Sequence, residues 1–432
     1  MIEIIRTDED DQFTALMQRL RLRSVAVDRT LIRSVERIID NVRNKGDQAL
    51  THYAAIFDNC ELKIADLKIS ENALKESASR VDKTVLNALR EAIRRVRMFH
   101  SFERQESWDF TNPNEVRLGQ RVTPIKSVGV YVPGGSAGYA SSVVMNIVPA
   151  QVAGVGRIVI VTPPGTIEKS PAVAAALLEL NATEVFAAGG AQAIAALAYG
   201  TQTVPRVDKI VGPGNRYVAA AKKLVFGLVG IDSIAGPTEV VILADDSAHA
   251  SFLASDLLAQ AEHSDDASSI LITNSPQLAV QVAEQVKKQA SSLPRRPVIE
   301  KSMRQYGAIV VVKDWDEACA LVDELAPEHF EIIARNADYL ASRVQNAGAI
   351  FLGEYSPEAV GDYLAGPNHV LPTSRAARFS SALSVYDFIK RTSIIKYTAK
   401  ELENTAQSIA ALARAEGLEA HARSALIRLE GN

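Results

Sequence analysis

Two short pairs of polar residues in the second half of the chain have the types and spacing for catalytic chemistry. Gln260 and His263 lie one turn apart in a predicted helix, so both side chains can face the same ion. Glu328 and His329 stand together where a predicted helix ends and a strand begins. A carboxylate beside an imidazole can serve as an acid–base pair, and the alternative is a capping glutamate next to an incidental histidine. The pairs therefore suggest a metal site and a proton-transfer site.

Two further segments carry residues of the same chemical class. One combines Glu358, Asp362 and His369 in a stretch that glycine and proline mark as an irregular loop, where functional residues are often found. The other lies near the C-terminus and contains Glu416 and His421. Histidine with aspartate, and without cysteine, is a nitrogen–oxygen ligand set that suits zinc or a neighbouring divalent metal. Spacing alone does not assemble these residues into one site, because they lie far apart along the chain.

Three glycine-rich turns follow predicted strands in the middle of the chain, at residues 133–138, 188–192 and 212–215. Glycine lets the backbone approach a ligand, and the N-terminus of a following helix favours phosphate. None of the turns matches GxGxxG with an acidic residue ~20 positions later, so the usual dinucleotide fingerprint is missing. Each turn is either a tight connection or part of a nucleotide site at the C-terminal ends of strands, and both interpretations stay open.

The elements that must position these residues follow from hydrophobic periodicity. Residues 1–120 show helical spacing, with no clear strand pattern before Val122. Val/Ile-rich runs then alternate with Ala-rich helical segments over residues 121–236 and again over 237–380, which is typical of parallel sheets covered by helices. Residues 381–432 are predicted to be a helical tail, with a break at Gly417. We therefore predict an α/β fold with two consecutive Rossmann-like units between a helical N-terminal region and a helical tail.

Composition excludes several classes of function. The net charge is −4 and no basic stripe is present, so nucleic acid is not an expected partner. No run of ~18 apolar residues is available to span a membrane, and the acidic start lacks an apolar signal core, so a cytoplasmic location is expected. Cys60 and Cys319 form no CxxC pair, so neither a disulfide framework nor a thiolate zinc site is expected.

Together these segments resemble the histidinol dehydrogenase family, over essentially the whole chain. The motifs that carry the resemblance are 129–135 (GVYVPGG), 189–201 (GGAQAIAALAYGT), 207–215 (VDKIVGPGN), 254–263 (ASDLLAQAEH), 326–329 (APEH), 361–363 (GDY) and 366–369 (GPNH). Several long motifs in the right order are far more specific than any single glycine turn. Thr238 stands where we expect serine in many relatives, and the hydroxyl is kept.

The resemblance implies a homodimer that oxidises L-histidinol through L-histidinal to L-histidine, using two NAD and one zinc per site. Glu328 and His329 would be the catalytic acid–base residues. The implied zinc ligands are Gln260, His263, Asp362 and His421. The implied substrate contacts are these ligands and His329, together with Thr238, Glu358, His369 and Glu416. The residues implied near NAD are Tyr131, Gln192 and Asn215.

The family also implies that the C-terminal tail reaches the partner subunit, so that His421 completes the other chain's zinc site and the active sites are shared. Neither cysteine lies in a recognised motif, so a covalent thiohemiacetal is not expected during aldehyde oxidation. Three alternatives remain open at this point. They are a related zinc dehydrogenase acting on another small alcohol, a zinc hydrolase with Glu328 as its base and no need for NAD, and a catalytically silent binding protein.

Overall fold

The N-terminal segment contains strands as well as helices. The structure is a computed structural model that describes residues 2–8, 10–23, 29–134 and 139–430. The elements before residue 125 are β1 (Glu3–Arg6), α1 (Asp10–Leu22), α2 (Arg29–Lys45), α3 (Asp47–Phe57), β2 (Lys68–Ile69), α4 (Glu71–Ala78), α5 (Lys83–Ser101), β3 (Trp108–Thr111) and β4 (Arg117–Pro124). The prediction that no strand precedes Val122 is therefore wrong. Strands β1 and β2 are edge strands with too few residues to show an alternating apolar pattern.

Capping residues set the limits of the early helices. The Ser70 hydroxyl accepts a hydrogen bond from Ala73 N–H at the start of α4, as the serine at that position predicted. The Asp82 carboxylate does the same for α5. One continuous helical pattern over residues 30–57 is interrupted at Gly46, whose φ of 55° belongs to the left-handed region that glycine tolerates. That break separates α2 from α3.

The first parallel sheet follows the predicted alternation of strands and helices. Its elements are β5 (Ser127–Tyr131), α6 (Ala140–Ala153), β6 (Arg157–Thr162), α7 (Thr166–Lys169), α8 (Pro171–Glu179), β7 (Val185–Ala187), α9 (Gly190–Tyr199), β8 (Lys209–Val211), α10 (Arg216–Val225) and β9 (Gly230–Ile231). The strand order is β2-β7-β6-β5-β8-β9, and only β2 is antiparallel to its neighbour. Helices cover both faces, so the strands are Val/Ile-rich throughout.

The second sheet is parallel throughout and takes its edge strand from the start of the chain. Its further elements are β10 (Glu239–Ala244), α11 (Ala250–Ala261), β11 (Ser268–Thr273), α12 (Pro276–Ala290), α13 (Arg296–Tyr306), β12 (Gly307–Val311), α14 (Trp315–Leu325), β13 (His329–Ile333), α15 (Ala337–Arg343), β14 (Ala349–Leu352) and α16 (Glu358–Tyr363). The order is β1-β12-β11-β10-β13-β14. Helix α13 carries Pro297 in its first turn, where a proline has no hydrogen bond to lose. Helix α16 occupies the start of the predicted irregular loop.

The C-terminal segment was predicted to be helical throughout, but the structure shows that it also contains a strand. It contains β15 (Ile389–Lys396), α17 (Ala399–Ala415) and α18 (Glu419–Leu426). Strand β15 pairs antiparallel with β4, and β3 completes a third sheet. The predicted break at Gly417 is confirmed, with φ of 75°. The mixed α/β class with parallel sheets is also confirmed. The boundaries at residues 120, 236 and 380 stay predictions, and strands from both ends of the chain complete sheets across them.

In the part of the chain that the structure describes, no helix is both long enough and apolar enough to cross a membrane.

Candidate active site

Polar residues gather at the N-terminal ends of β10 and β13, which are neighbouring parallel strands. Thr238 immediately precedes β10, Glu328 precedes β13, and His329 is the first residue of β13. Helix α11 follows β10 and runs back along the sheet, so its C-terminal end returns to the same edge. Gln260 and His263 lie at that end. The topology thus brings the two pairs that the sequence singled out to one edge of the second sheet.

His263, Glu358 and Asp362 form a cluster that could hold a cation. One ligand atom from each lies within 4.8 Å of the others. Glu358 and Asp362 are four residues apart in α16, so their carboxyl groups face the same side of the helix. Nitrogen and oxygen donors of this kind suit zinc. The predicted ligands His263 and Asp362 are therefore brought together. Glu358, predicted as a substrate contact, also lies within ligand range.

The side-chain amide of Gln260 is fully buried beside this cluster. With its nitrogen facing Glu358, the amide donates hydrogen bonds of 2.6 and 3.0 Å to the carboxyl oxygens. Its oxygen then accepts from Glu239 N–H and the Thr238 hydroxyl. A metal ligand needs the reverse orientation, in which the amide nitrogen donates to Thr238 Oγ1 over 2.7 Å and the amide oxygen faces Glu358. The cluster and the amide together fit a divalent metal.

His329 presents one ring nitrogen to the cluster. Its Nδ1 lies 3.2 Å from the carbonyl oxygen of Glu239, which can only accept, so we assign the proton to Nδ1. Nε2 is buried, has no hydrogen-bond partner among the described residues, and lies 4.0 Å from Asp362 Oδ1. Burial lowers the pKa of His329 to about 4, against the opposing charge of Asp362. The ring is therefore neutral near pH 7 and can accept a proton at Nε2.

Glu328 is the second member of the acid–base pair. Its Oε2 accepts hydrogen bonds from the Thr238 hydroxyl at 2.5 Å and from Glu239 N–H at 3.0 Å. Burial nevertheless raises the pKa of Glu328 to about 7, because these bonds only partly offset the cost of a buried charge. A carboxyl group that titrates near neutrality can both take and release a proton. The Thr238 hydroxyl was predicted to contact substrate. In the Gln260 orientation that a metal ligand needs, its single proton is donated to Glu328.

Asp362 stays ionised because of its histidine neighbours. Burial alone would raise its pKa, but the hydrogen-bonding interaction with His369 and the other interactions with these neighbours together outweigh that effect and lower the pKa overall. His369 Nδ1 lies 3.6 Å from Asp362 Oδ1. The segment that carries His369 is fixed on the first unit, because Asn368 Nδ2 donates to the carbonyl oxygen of Met145 in α6 over 2.7 Å. An ionised carboxylate is the form that binds a metal.

Two carboxyl groups behind the cluster, one buried (Glu331) and one half-buried (Asp256), were missed by the sequence analysis. Burial raises the pKa of Asp256 to about 6 and that of Glu331 well above its usual range. Glu331 Oε1 accepts a 2.7 Å hydrogen bond from Glu358 N–H and so fixes the start of α16. A pattern for both existed in the sequence. Asp256 precedes Gln260 by one helical turn, and Glu331 follows His329 by two residues on the same face of the strand.

The residues predicted near NAD lie at the opposite kind of edge, the C-terminal ends of strands in the first sheet. Tyr131 ends β5, and its buried hydroxyl accepts a 3.2 Å hydrogen bond from Gly190 N–H at the start of α9. Gln192 is buried in the first turn of α9. Asn215 caps α10 by accepting from two backbone N–H groups. Residues 135–138 of the first glycine turn lie outside the described residues.

The C-terminal residues are not part of this cluster within the chain. Glu416 follows α17 as its C-cap and His421 lies in α18, and both are exposed. Among the described residues, the group with metal-binding geometry contains His263, Glu358 and Asp362 without His421. One chain therefore gathers three of the four predicted zinc ligands.

Comparison with known proteins places this architecture in a family. Residues 22–429 match the family model for histidinol dehydrogenase. The chain belongs to the histidinol dehydrogenase family. It is 52% identical over 393 residues to histidinol dehydrogenase from Bacillus subtilis strain 168, covering 91% of this chain and 92% of that protein. The corresponding enzyme from Geobacillus kaustophilus strain HTA426 is 51% identical over 399 residues, covering 92% and 94%.

A solved structure of a histidinol dehydrogenase shows the same fold. The enzyme from Elizabethkingia anophelis superposes with a TM-score of 0.92 at 33% identity, covering 99% of this chain and 98% of that one. The resemblance predicted from the sequence motifs is thus confirmed. Because histidinol dehydrogenases are oxidoreductases, the chain is an enzyme of that class, and neither the hydrolase nor the silent binding protein is supported.

Proposed function

We propose that this enzyme oxidises L-histidinol through L-histidinal to L-histidine, the last two oxidations of histidine biosynthesis, with NAD as hydride acceptor. The observation that carries the proposal is the buried Glu328–His329 pair beside the nitrogen–oxygen cluster, in a chain whose relatives are histidinol dehydrogenases. Nothing in this arrangement requires a thiolate, in keeping with the position of Cys319 inside the packed core.

The geometry gives each catalytic residue a proton to carry. His329 Nε2 accepts the alcohol proton while hydride leaves the substrate carbon, which yields the aldehyde. Glu328 then accepts a proton from the water that adds to the aldehyde carbon, while protonated His329 returns its proton to the carbonyl oxygen, which gives the gem-diol. His329 takes the gem-diol proton as the second hydride leaves, which yields the carboxylic acid. The buried Nε2 and the pKa values of the two residues support this division.

The residues proposed to hold zinc are Gln260, His263 and Asp362 of one chain and His421 of the partner subunit. The bound ion would orient the imidazole and amino nitrogens of the substrate. Thr238, Glu358, His369 and Glu416 are the proposed further substrate contacts. The proximity of Glu358 to His263 and Asp362 makes it the alternative fourth ligand, which would leave His421 without a role.

The proposed NAD site is the C-terminal edge of the first sheet, around Tyr131, Gln192 and Asn215. When bound there, NAD accepts one hydride in each oxidation. Helices α9 and α10 begin at this edge, and helix N-termini favour phosphate groups. Strand ends of a parallel sheet are a frequent place for such ligands.

The proposed function is tested by incubating the zinc-loaded enzyme with L-histidinol and NAD and following NADH absorbance. The expected result is about two NADH formed per L-histidinol consumed, because each oxidation transfers one hydride. The matched control is a related small alcohol that lacks the imidazole. NADH formation from the control and none from L-histidinol would assign the chain a different substrate.

A further inference from the structure

A buried ion pair stands directly behind the acid–base pair. Arg23, which follows α1, places Nη2 3.2 Å from Oε2 of Glu239, the first residue of β10. The two side chains are only 4% and 15% exposed. The same guanidinium nitrogen lies 2.9 Å from the carbonyl oxygens of Pro237 and of Thr238. One arginine therefore binds three oxygen acceptors of the three-residue segment 237–239.

Segment 237–239 is also the part of the backbone that contacts both members of the acid–base pair. Glu239 N–H donates to Glu328, and the Glu239 carbonyl oxygen accepts from His329 Nδ1–H. The Thr238 hydroxyl donates to Glu328 as well. A small shift of this segment would change the orientation of both groups at once. Misplacing catalytic groups by about 1 Å can cost about 10²-fold in rate.

A strained loop holds Glu239 from its other side. Glu239 Oε1 accepts from Ser374 N–H over 2.9 Å, and Arg375 N–H also contacts the carboxyl group. Burial still raises the pKa of Glu239 to about 7, because Arg23 and these N–H groups only partly offset the cost of a buried charge. Ser374 and Arg375 have φ of 55° and 65°, which is unfavourable for residues with side chains. Two successive N–H groups in such a turn form a concavity that accepts an anion. The Glu239 carboxyl group occupies that concavity, so it is fixed between Arg23 and the loop.

We propose that Arg23 and Glu239 are positioning residues for the oxidation, which hold segment 237–239 so that Glu328 and His329 keep their orientation. This inference rests on the roles proposed above for Glu328 and His329. Neither positioning residue belongs to the His263, Glu358 and Asp362 cluster. Buried ion pairs often add little net stability over apolar replacements. The pair is therefore expected to matter for rate more than for folding.

The test removes both charges together, because removing one would leave the other buried and unpaired. In zinc-loaded Arg23→Met/Glu239→Gln, we expect kcat to fall about 10²-fold for both half-reactions, with KM for L-histidinol within a few fold. In the single variant Glu239→Gln, the amide keeps an oxygen for Ser374 N–H, and Arg23 keeps the carbonyl oxygens of Pro237 and Thr238. Its kcat should therefore fall less than that of the double variant. The matched control is Lys209→Met/Asp387→Asn. It removes a partly buried ion pair with 3.1 Å between Lys209 Nζ and Asp387 Oδ1, at the N-terminal end of β8 in the first sheet. It should keep wild-type kcat.

A second readout does not depend on turnover. Nitrogen-15 spectra of histidine-labelled, zinc-free enzyme should show His329 as a single Nδ1–H tautomer in the wild type and in the Lys209 control. The Arg23/Glu239 double variant should show both tautomers. If the pair only stabilises the fold, the double variant should have a lower unfolding temperature and an unchanged His329 tautomer.

Wild-type kcat and a single tautomer in the double variant would overturn the inference. An equal loss of kcat in the Lys209 control would overturn it too, because the effect would not be specific to this pair. Failure of the proposed function gives a different pattern, in which Glu328→Gln and His329→Asn themselves retain full activity.

Discussion

The two parallel sheets of this enzyme carry their candidate sites at opposite edges. In the first sheet, Tyr131 and Asn215 follow the C-terminal ends of strands, where ligands of α/β proteins are usually bound. In the second, Glu239 and His329 begin strands, so the acid–base pair lies at the N-terminal edge. The same layered architecture thus supports a site at either edge. What decides the edge is where polar side chains accumulate, and the fold alone does not fix it.

The two sites also differ in whether backbone or side-chain groups form them. The first is mainly backbone: Gly212 has φ of 114°, and a Cβ atom there would lie 2.2 Å from the Tyr131 carbonyl oxygen. The second is mainly ionisable side chains. Each edge is nevertheless fixed by a buried ion pair. In the first, Lys222 donates to the Gly212 carbonyl over 3.0 Å and Asp232 accepts from Gly212 N–H over 2.8 Å. Arg23 and Glu239 do this in the second.

Metal removal should separate the two edges most sharply. The proposed ligands include no thiolate, so a chelator should remove the ion and abolish turnover, and Zn²⁺ should restore it. NADH binding to the first unit, measured by its fluorescence, should survive chelation. Full turnover in rigorously metal-free enzyme would contradict the proposed ligand set.

The acid–base pair should give the next largest effect and should split the two oxidations. Glu328→Gln is expected to keep much of the alcohol step and to lose about 10²–10⁴-fold in aldehyde oxidation, because only the second step needs activated water. His329→Asn should lose a similar factor in both steps. Single-turnover measurements with L-histidinol and with L-histidinal distinguish them. Equal damage to both half-reactions in Glu328→Gln would refute this division.

Asn215→Ala should affect only the proposed NAD site, at the C-terminal ends of the strands of the first sheet. It removes the cap of α10, which costs about 1 kcal/mol of folding free energy, and it disturbs a residue proposed to contact NAD. We expect KM for NAD to rise ~5-fold, which corresponds to about 1 kcal/mol of binding free energy. KM for L-histidinol and the zinc content should stay unchanged. A change in zinc affinity instead would break the separation between the two edges. The control is Thr84→Ser, a conservative change in the first turn of α5.

The smallest effects are expected for Cys60→Ser and Cys319→Ser. No proposed step uses a thiolate, and burial raises the pKa of the Cys319 thiol, which disfavours the nucleophilic form. Turnover should stay within a few fold of the wild type. A collapse of aldehyde oxidation in a folded Cys319→Ser variant would instead support covalent catalysis.

The sequence predicted the helices and strands whose apolar period was long and regular, such as β6 and α5. It did not predict β1 or β2, because short edge strands take their pairing from distant partners and carry little pattern of their own. It did not predict β15 either, an eight-residue edge strand that is mostly exposed and so has no apolar face. Helix α16 was missed because Gly361 and the nearby Gly366-Pro367 pair resemble a loop. That error hid the four-residue spacing that places Glu358 beside Asp362.

Within the site, the sequence singled out every histidine and carboxylate that the structure places in the cluster. The positions of Arg23 and Glu239 could not be predicted in the same way. Arg23 lies more than two hundred residues from the segment it binds, and its contacts depend on β1 and α1 joining the second sheet. Charged residues at such distances show no periodicity or motif that links them.

The most direct test of the proposed composite zinc site asks whether it is completed by a second copy of the chain. Within one chain His421 is exposed and lies outside the cluster. His263→Ala and His421→Ala chains should each be inactive alone. Mixed dimers should contain one site with both defects and one with none. Because random reassortment makes about half the dimers mixed, about a quarter of wild-type activity should return.

The mixing experiment requires differently tagged chains, so that subunit exchange can be confirmed before activity is measured. Recovery of about a quarter of the wild-type turnover is the predicted result for a two-fold dimer with shared sites. No recovery after confirmed exchange would contradict the account, as would a fully active His421→Ala chain, and Glu358 would then be the fourth ligand to test.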